Sequence, residues 1–266
     1  MKNKTKVICF ANNKGGSGKS TTCSNVGYGL SLMGKKVLML DADMQANLSL
    51  AFLPEERVLD MAESKKNLYY AVKAEEDLSN YCEATEYEGV DLIPASPLMS
   101  SLEYELYPKK NREYVLDACL KSVKHSEKYD YILIDAPPTL GGWTMNLLIA
   151  SDYLVIPVEA SPWGLFGLAN MFEFYQKASE KNPCLSLMGI VVTKVDIRKN
   201  YYRQTMETLL ELKDVHVFDT CIRMDSNIEW SQDNSKPVMA YKKSSRSAGE
   251  YMSLTEEVER IASGKK

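Results

Sequence analysis

The order of local signals predicts an α/β fold, a mostly parallel twisted sheet with helices on both faces. Three observations predict it. Short apolar runs alternate with longer segments of helical character, a glycine-rich loop joins the first run to the first helix, and two later runs end in aspartates. The first strand is expected at 6–11, where Val7-Ile8-Cys9-Phe10-Ala11 is too short for a buried helix. A helix over 19–33 follows the glycines. A second strand at 36–40 closes the first β-α-β unit. The stretch 51–88 is polar and acidic with weak periodicity, which reads as short helices and loops on one flank. Further strands are expected at 90–93, 129–134, 153–158, 187–193 and 215–218, and helices at 100–124, 164–181, 201–213 and 249–262. No long repeat, low-complexity tract or linker divides residues 1–266, so a single domain is expected.

The loop Lys14-Gly15-Gly16-Ser17-Gly18-Lys19-Ser20-Thr21-Thr22 has the context a phosphate cradle requires, a strand before it and a helix after it. Glycines let successive N–H groups turn inward, and the helix N-terminus adds the positive end of its dipole. In such a loop Lys19 reaches the β- and γ-phosphates and the Ser20 hydroxyl ligates Mg²⁺. The general pattern G-x-x-x-x-G-K-S/T is met imperfectly: Asn13 stands at the first glycine, and an extra lysine, Lys14, opens the loop. Open α/β sheets bind ligands beyond the carboxyl ends of their strands. There Val37-Leu38-Met39-Leu40 ends in Asp41 and Asp43, two apart and so on one side of an extended chain, while Tyr131-Ile132-Leu133-Ile134 ends in Asp135. Asp41 and Asp135 are candidate metal residues, and Asp43 is a candidate to orient an attacking water. A lone aspartate at a strand end is more often a turn or helix cap. Three at these intervals after a phosphate loop point to chemistry.

With 266 residues and 45% hydrophobic content the chain can bury a full core. Residues 1–6 lead into only a strand-length apolar run, and no apolar stretch approaches a bilayer's thickness, so neither a signal peptide nor a spanning helix is expected. The six cysteines show no C-x-x-C spacing and several lie in apolar runs, which suits a reducing, cytoplasmic setting. The net charge of −4 is uneven: 53–105 carries 4 Lys/Arg against 13 Asp/Glu, whereas 181–266 carries 14 against 12. Global acidity argues against indiscriminate coating of nucleic acid but leaves room for a local basic face.

The loop resembles the deviant Walker A of the ParA/MinD group of P-loop NTPases, K-G-G-x-G-K-S/T. The likeness extends over almost the whole chain. Gly34-Lys35-Lys36-Val37-Leu38-Met39-Leu40-Asp41-Ala42-Asp43-Met44-Gln45-Ala46-Asn47 is similar to G-K-K-V-L-L-I-D-x-D-P-Q-x-N, and Asp135-Ala136-Pro137-Pro138-Thr139-Leu140-Gly141 to D-x-P-P-x-L-G. Ile156-Pro157-Val158, Ser235-Lys236-Pro237-Val238-Met239-Ala240-Tyr241 and Ser245-Arg246-Ser247-Ala248 resemble I-P-V, G-K-P-V-x-x-Y and S-R-G-A. The chain is therefore similar to the ParA/Soj partition ATPases. That resemblance implies ATP and Mg²⁺ as cofactors, and a homodimer closed face to face around two ATP molecules. It further implies that Lys14 reaches the partner's phosphates, that the dimer binds double-stranded DNA non-specifically, and that a ParB-type protein stimulates a slow hydrolysis that releases it. It places the nucleotide against residues 14–21 and the base near Thr193 and Lys194. Basic residues of the C-terminal regions that contact the DNA backbone in the family match Arg198, Lys199, Arg203, Arg223, Lys242, Lys243 and Arg246, and each is also readable as part of a solvated face.

There are departures from the pattern. Met44 replaces a proline, Ser17 a valine or isoleucine, Ile222-Arg223 lacks the proline of I-P-R, and Asn227 stands near the second arginine. Weaker DNA binding, and an adaptor that positions another cargo, are therefore the alternative expectation. Thr193-Lys194-Val195-Asp196 also matches the T-K-x-D by which signal-recognition GTPases read guanine, but the deviant loop and D-x-P-P favour ATP. Membrane attachment of the MinD kind is not expected, because Leu254, Val258 and Ile261 form one narrow stripe opposite three glutamates.

Overall fold

The computed structural model describes residues 5–161 and 163–264, so residues 1–4 and 265–266, part of the reading of both chain ends, lie outside the described residues. Seven strands form one sheet: β1 (Lys6–Phe10), β2 (Val37–Asp41), β3 (Glu83–Ala84), β4 (Val90–Ile93), β5 (Tyr131–Asp135), β6 (Tyr153–Glu159) and β7 (Ser186–Thr193). Their order is β3-β4-β2-β5-β1-β6-β7, and every pairing is parallel except β3 with β4. The central strands β2 and β5 are buried along their whole length, as continuous apolar runs in a sheet covered on both faces should be. Register aligns the chemistry: Asp41 pairs with Asp135, and Phe10 with Asp135, so three strands end level at one edge.

The helix Lys19–Leu32 runs back from that edge, and the C-terminal helix Arg246–Ala262 packs along it. Their approach is close: a Cβ at Gly29 would collide with the Thr255 side chain. Leu254 and Val258 are fully buried and Ile261 is half-buried, so the narrow stripe of this helix packs on its own domain. Among the described residues no helix is long and apolar enough to cross a membrane.

Several expectations need correction. No strand forms at 215–218; the segment only lies beside β7, with Ile190 N–H donating to the His216 carbonyl and Phe218 N–H to that of Ile190, both at 2.9 Å. The helix expected at 100–124 is two, Leu102–Leu106 and Val115–His125, because Pro108 and the left-handed Asn111 (φ 54°) interrupt it. Helices Gly142–Ile149 and Ser226–Asp233 were not anticipated. In the first, residues 143–149 are all buried, so it shows no amphipathic period to detect. The acidic flank does hold short helices, Glu55–Glu63 and Leu68–Ala74.

Candidate functional site

The glycine loop is built from below. Asn12 leaves β1 and donates to the Pro157 carbonyl of β6 at 2.7 Å, while its side-chain oxygen accepts the Lys14 N–H at 3.0 Å. Gly16 (φ 74°) and Gly18 (φ 84°) take the left-handed conformation that side chains resist, and Gly18 caps the helix Lys19–Leu32. Gly15 stands clear of other groups, and Ser17 turns its buried hydroxyl inward, with no partner among the described residues. Thr193, at the end of β7, donates to the Ser17 carbonyl at 2.9 Å and so supports the loop from beneath. The N–H groups of Lys19, Ser20 and Thr21 open the helix, where no intrahelical acceptor exists, and they face the cleft these residues line.

The two lysines take different positions. Lys19 is buried and its ammonium donates to the Lys14 carbonyl at 3.1 Å. Burial lowers its pKa, and the charges of Asp135 and Asp43 partly oppose that. Lys14 is held by β6 and the residues after it: its ammonium meets Glu159 Oε2 at 2.6 Å and the Ser161 hydroxyl at 3.1 Å, and both partners line the cleft. Burial pushes the Glu159 carboxyl up, but the hydrogen bond and charge of Lys14 outweigh it and leave the group below its ordinary value.

The three aspartates differ as sharply. Asp135 is fully buried, and neither carboxyl oxygen has a hydrogen-bond partner among the described residues. Burial drives its pKa well up and the Asp41 charge adds to this, while the Ser20 hydroxyl and Lys19 pull the other way. Asp41 is engaged by its own chain. Its Oδ2 accepts from the Ser49 N–H and hydroxyl, both at 2.7 Å, and its Oδ1 accepts from the Asp43 N–H at 3.2 Å. Burial still raises it to about 7. Asp43 lines the cleft, with Oδ1 accepting the Gln45 N–H at 3.1 Å. Orphaned carboxylate oxygens near a hydroxyl are hard donors of the kind Mg²⁺ takes, so Ser20 and Asp135 fit that ion. Among the described residues no group of three His, Cys, Asp or Glu is placed to hold a metal ion.

The raised carboxyls fix a stability signature. An acid whose folded pKa lies above its unfolded value of about 3.9 holds its proton more tightly in the native state. Stability is then lost as pH rises from about 4 toward 7, and the buried Asp41 and Asp135 act in the same direction. Denaturant unfolding without metal should give a more stable protein at pH 5 than at pH 7.5. Magnesium with nucleotide should narrow that gap, since it favours the ionised carboxylates.

Beyond the loop lies a cleft of about 1180 Å³. Its far wall, Ile222 to Ser226, hangs from the C-terminal helix. There Glu257 accepts the N–H groups of Asp219 and Thr220 at 2.9 Å, and Glu250 accepts the Arg223 N–H at 2.9 Å and pairs with its guanidinium. Lys194 (φ 53°) places its ammonium over Gly16. Asp196 is held by Arg198 through two side-chain bonds of 2.9 Å, which keeps its pKa at about 2.

Of the seven basic residues singled out for DNA, four are engaged: Arg198 by Asp196, Arg203 by Glu207, and Arg223 and Arg246 by Glu250. Lys199, Lys242 and Lys243 are exposed and make no ion pair among the described residues. Sequence reasoning missed Asn12, Ser49, Trp143, Glu159 and Ser161. Only Glu159 carried a signal, a charge ending an apolar strand beside the loop.

A parallel sheet whose first strand feeds a glycine cradle, with carboxylates level at the neighbouring strand ends, defines a P-loop nucleotide hydrolase. A family model described as an AAA domain matches residues 5–187. The chain is 34% identical to the sporulation initiation inhibitor protein Soj of Bacillus subtilis, over 95% of this chain and 98% of that one. It is 30% identical to the chromosome partitioning protein ParA of Caulobacter vibrioides, over 96% and 94%. In fold it is similar to cobyrinic acid a,c-diamide synthase from Mycobacterium smegmatis with bound ADP and magnesium, with a TM-score of 0.83, 24% identity, and 98% and 97% of the two chains covered. The chain belongs to the ParA/Soj family of P-loop ATPases.

Proposed function

We propose that this ATPase is a DNA-partition switch. ATP and Mg²⁺ occupy the cleft, two subunits close over two nucleotides, the dimer binds non-specific double-stranded DNA, and a ParB-type partner stimulates a slow hydrolysis that releases it. Residues 1–266 act as one unit in the cytoplasm, on the nucleoid when ATP is bound. The cargo is a plasmid, chromosome or mobile element. The single observation that carries the proposal is Lys14. It opens the loop, yet its ammonium is bound by Glu159 and Ser161, a hold that a neighbour's phosphates can replace.

Within each site the backbone N–H groups of residues 15–21 and Lys19 neutralise the β- and γ-phosphates. Ser20 and Asp135, with Asp41 behind them, would hold the magnesium, whose chemistry is charge neutralisation on the phosphate oxygens. Asp43 orients the water that attacks the γ-phosphorus, and Lys14 of the other subunit stabilises the charge that develops. Adenine rather than guanine is supported by the deviant loop and by Asp135-Ala136-Pro137-Pro138 at the end of β5.

A second reading, a cargo-positioning adaptor with little DNA affinity, is favoured by the four basic residues already paired with carboxylates. The arginines of the Arg198–Asp196 and Arg203–Glu207 pairs are exposed, and such pairs contribute only about 0–1 kcal/mol, so DNA phosphates can compete for those two. A salt titration of binding to non-specific duplex separates the two. Partition predicts ATP-dependent binding in which Lys199, Lys242 and Lys243 of both subunits give a log–log salt slope of about −5. Lys242→Ala with Lys243→Ala should flatten that slope and weaken binding without altering nucleotide affinity. Absence of binding with every nucleotide would leave the adaptor.

A further inference from the structure

We propose that Trp143 is a positioning residue for hydrolysis, its indole N–H fixing the peptide that aims Asp43. The proposal rests on the reading that Asp43 orients the attacking water. Trp143 lies at the start of the helix Gly142–Ile149, is 4% exposed, and donates from Nε1 to the Ala42 carbonyl at 3.0 Å. Ala42 is the residue between Asp41 and Asp43. Its own N–H donates to the Asp135 carbonyl at 3.0 Å. The link between the two aspartates is thus held on one side by the end of β5 and on the other by the helix that follows β5.

On the Ala42–Asp43 peptide the indole makes the shorter bond, since the Asp43 N–H reaches Asp41 Oδ1 only at 3.2 Å. Beyond it the chain turns, with Ala46 N–H donating to the Asp43 carbonyl at 3.0 Å. Asp43 Oδ1 is taken by Gln45, which leaves Oδ2 for the cleft. Removing the indole donor leaves a buried carbonyl unpaired, a cost the peptide relieves by rotating toward another donor. That rotation swings the Asp43 side chain. A displacement of about 1 Å in such a group is enough to cost on the order of a hundredfold in rate. Bulk alone does not explain the residue, because a phenyl ring would fill most of the same space. The polar group that an indole brings is a donor only, and a carbonyl is what a donor fits.

Met44 provides an independent handle. It is 43% exposed, its N–H makes no hydrogen bond among the described residues, and it occupies the second position of the 43–46 turn, where proline is favoured. Met44→Pro should stiffen the turn without the indole.

The test compares wild type, Trp143→Phe, Trp143→Phe with Met44→Pro, and Asp43→Ala, by calorimetry with ATP and magnesium and by steady-state hydrolysis. Trp143→Phe should bind nucleotide within about twofold of wild type, while kcat falls by roughly tenfold or more. Adding Met44→Pro should recover about two- to fivefold. An unchanged kcat in Trp143→Phe overturns the proposal, as does a parallel fall of affinity and kcat that Met44→Pro does not recover. Asp43→Ala turning over as fast as wild type overturns the underlying role of Asp43, and the role of Trp143 with it. Should Trp143→Phe not fold, the isotope-labelled wild-type protein still decides. Trp163 and Trp230 are 70% and 57% exposed, so one indole N–H of three should resist solvent exchange and shift when nucleotide and magnesium bind. Three equally exchanging signals, or a protected one indifferent to nucleotide, overturn the proposal.

Discussion

Replacing Lys14 by alanine is expected to leave nucleotide binding by the single subunit intact while abolishing both dimer formation and turnover. Among the described residues the amine's hydrogen bonds go to Glu159 and Ser161 and to no group of the glycine loop. Lys19 and the loop N–H groups therefore retain the phosphates without it. A cation delivered from a second subunit contributes about 10³–10⁵ in related phosphoryl transfers, and that factor is what the variant should lose. Release of Lys14 from Glu159 is a small barrier by comparison, because the pair is partly exposed at 26% for each side chain. Glu159→Gln should accordingly lower the ATP concentration at which dimers form. Size-exclusion chromatography with ATP and magnesium, followed by phosphate release, reads both variants. A Lys14→Ala protein that dimerises and turns over normally would remove the trans role.

Lys19→Ala is expected to abolish nucleotide binding itself. The ammonium is buried beside two carboxylates, where a polyphosphate in the cradle would meet its charge. Without it the cradle loses its buried cation, and Asp135 loses a charge that pulls its raised pKa back down. Losing its charge-assisted bonds to the phosphates, about 1.5–3 kcal/mol each, should weaken binding by roughly a hundredfold or more. Calorimetry with millimolar ATP and magnesium measures it. Near-wild-type heat of binding from Lys19→Ala would show that the loop does not hold the phosphates as described.

Much of this was legible in the sequence where a pattern has one physical cause. Parallel strands buried on both faces must be continuous apolar runs, and six of the seven expected strands stand within a residue or two of their predicted places. Glycines that need positive φ beside a lysine have few explanations other than phosphate, and Gly16 and Gly18 adopt that conformation. What remained hidden lacks a local signature. Ser49 meets Asp41 across eight residues, and Trp143 meets Ala42 across 101. Neither spacing is periodic: the turn after β2 brings Ser49 back to Asp41, and the register of β2 against β5 brings the helix after β5 to Ala42. The helix Gly142–Ile149 was missed because a segment buried on every side shows no alternation of apolar and polar faces. The broken 100–124 segment shows the converse: its apolar period was real, but Pro108 could not be overridden by it.

The carboxylates of Glu250 and Glu257, one heptad apart, make the final helix a bracket from which the distal margin of the nucleotide chamber is suspended. A protein shortened before residue 246 would lose that scaffolding, and with it the packing along the helix Lys19–Leu32. Affinity handles and fluorophores therefore belong after the last helical turn, where the chamber does not feel them.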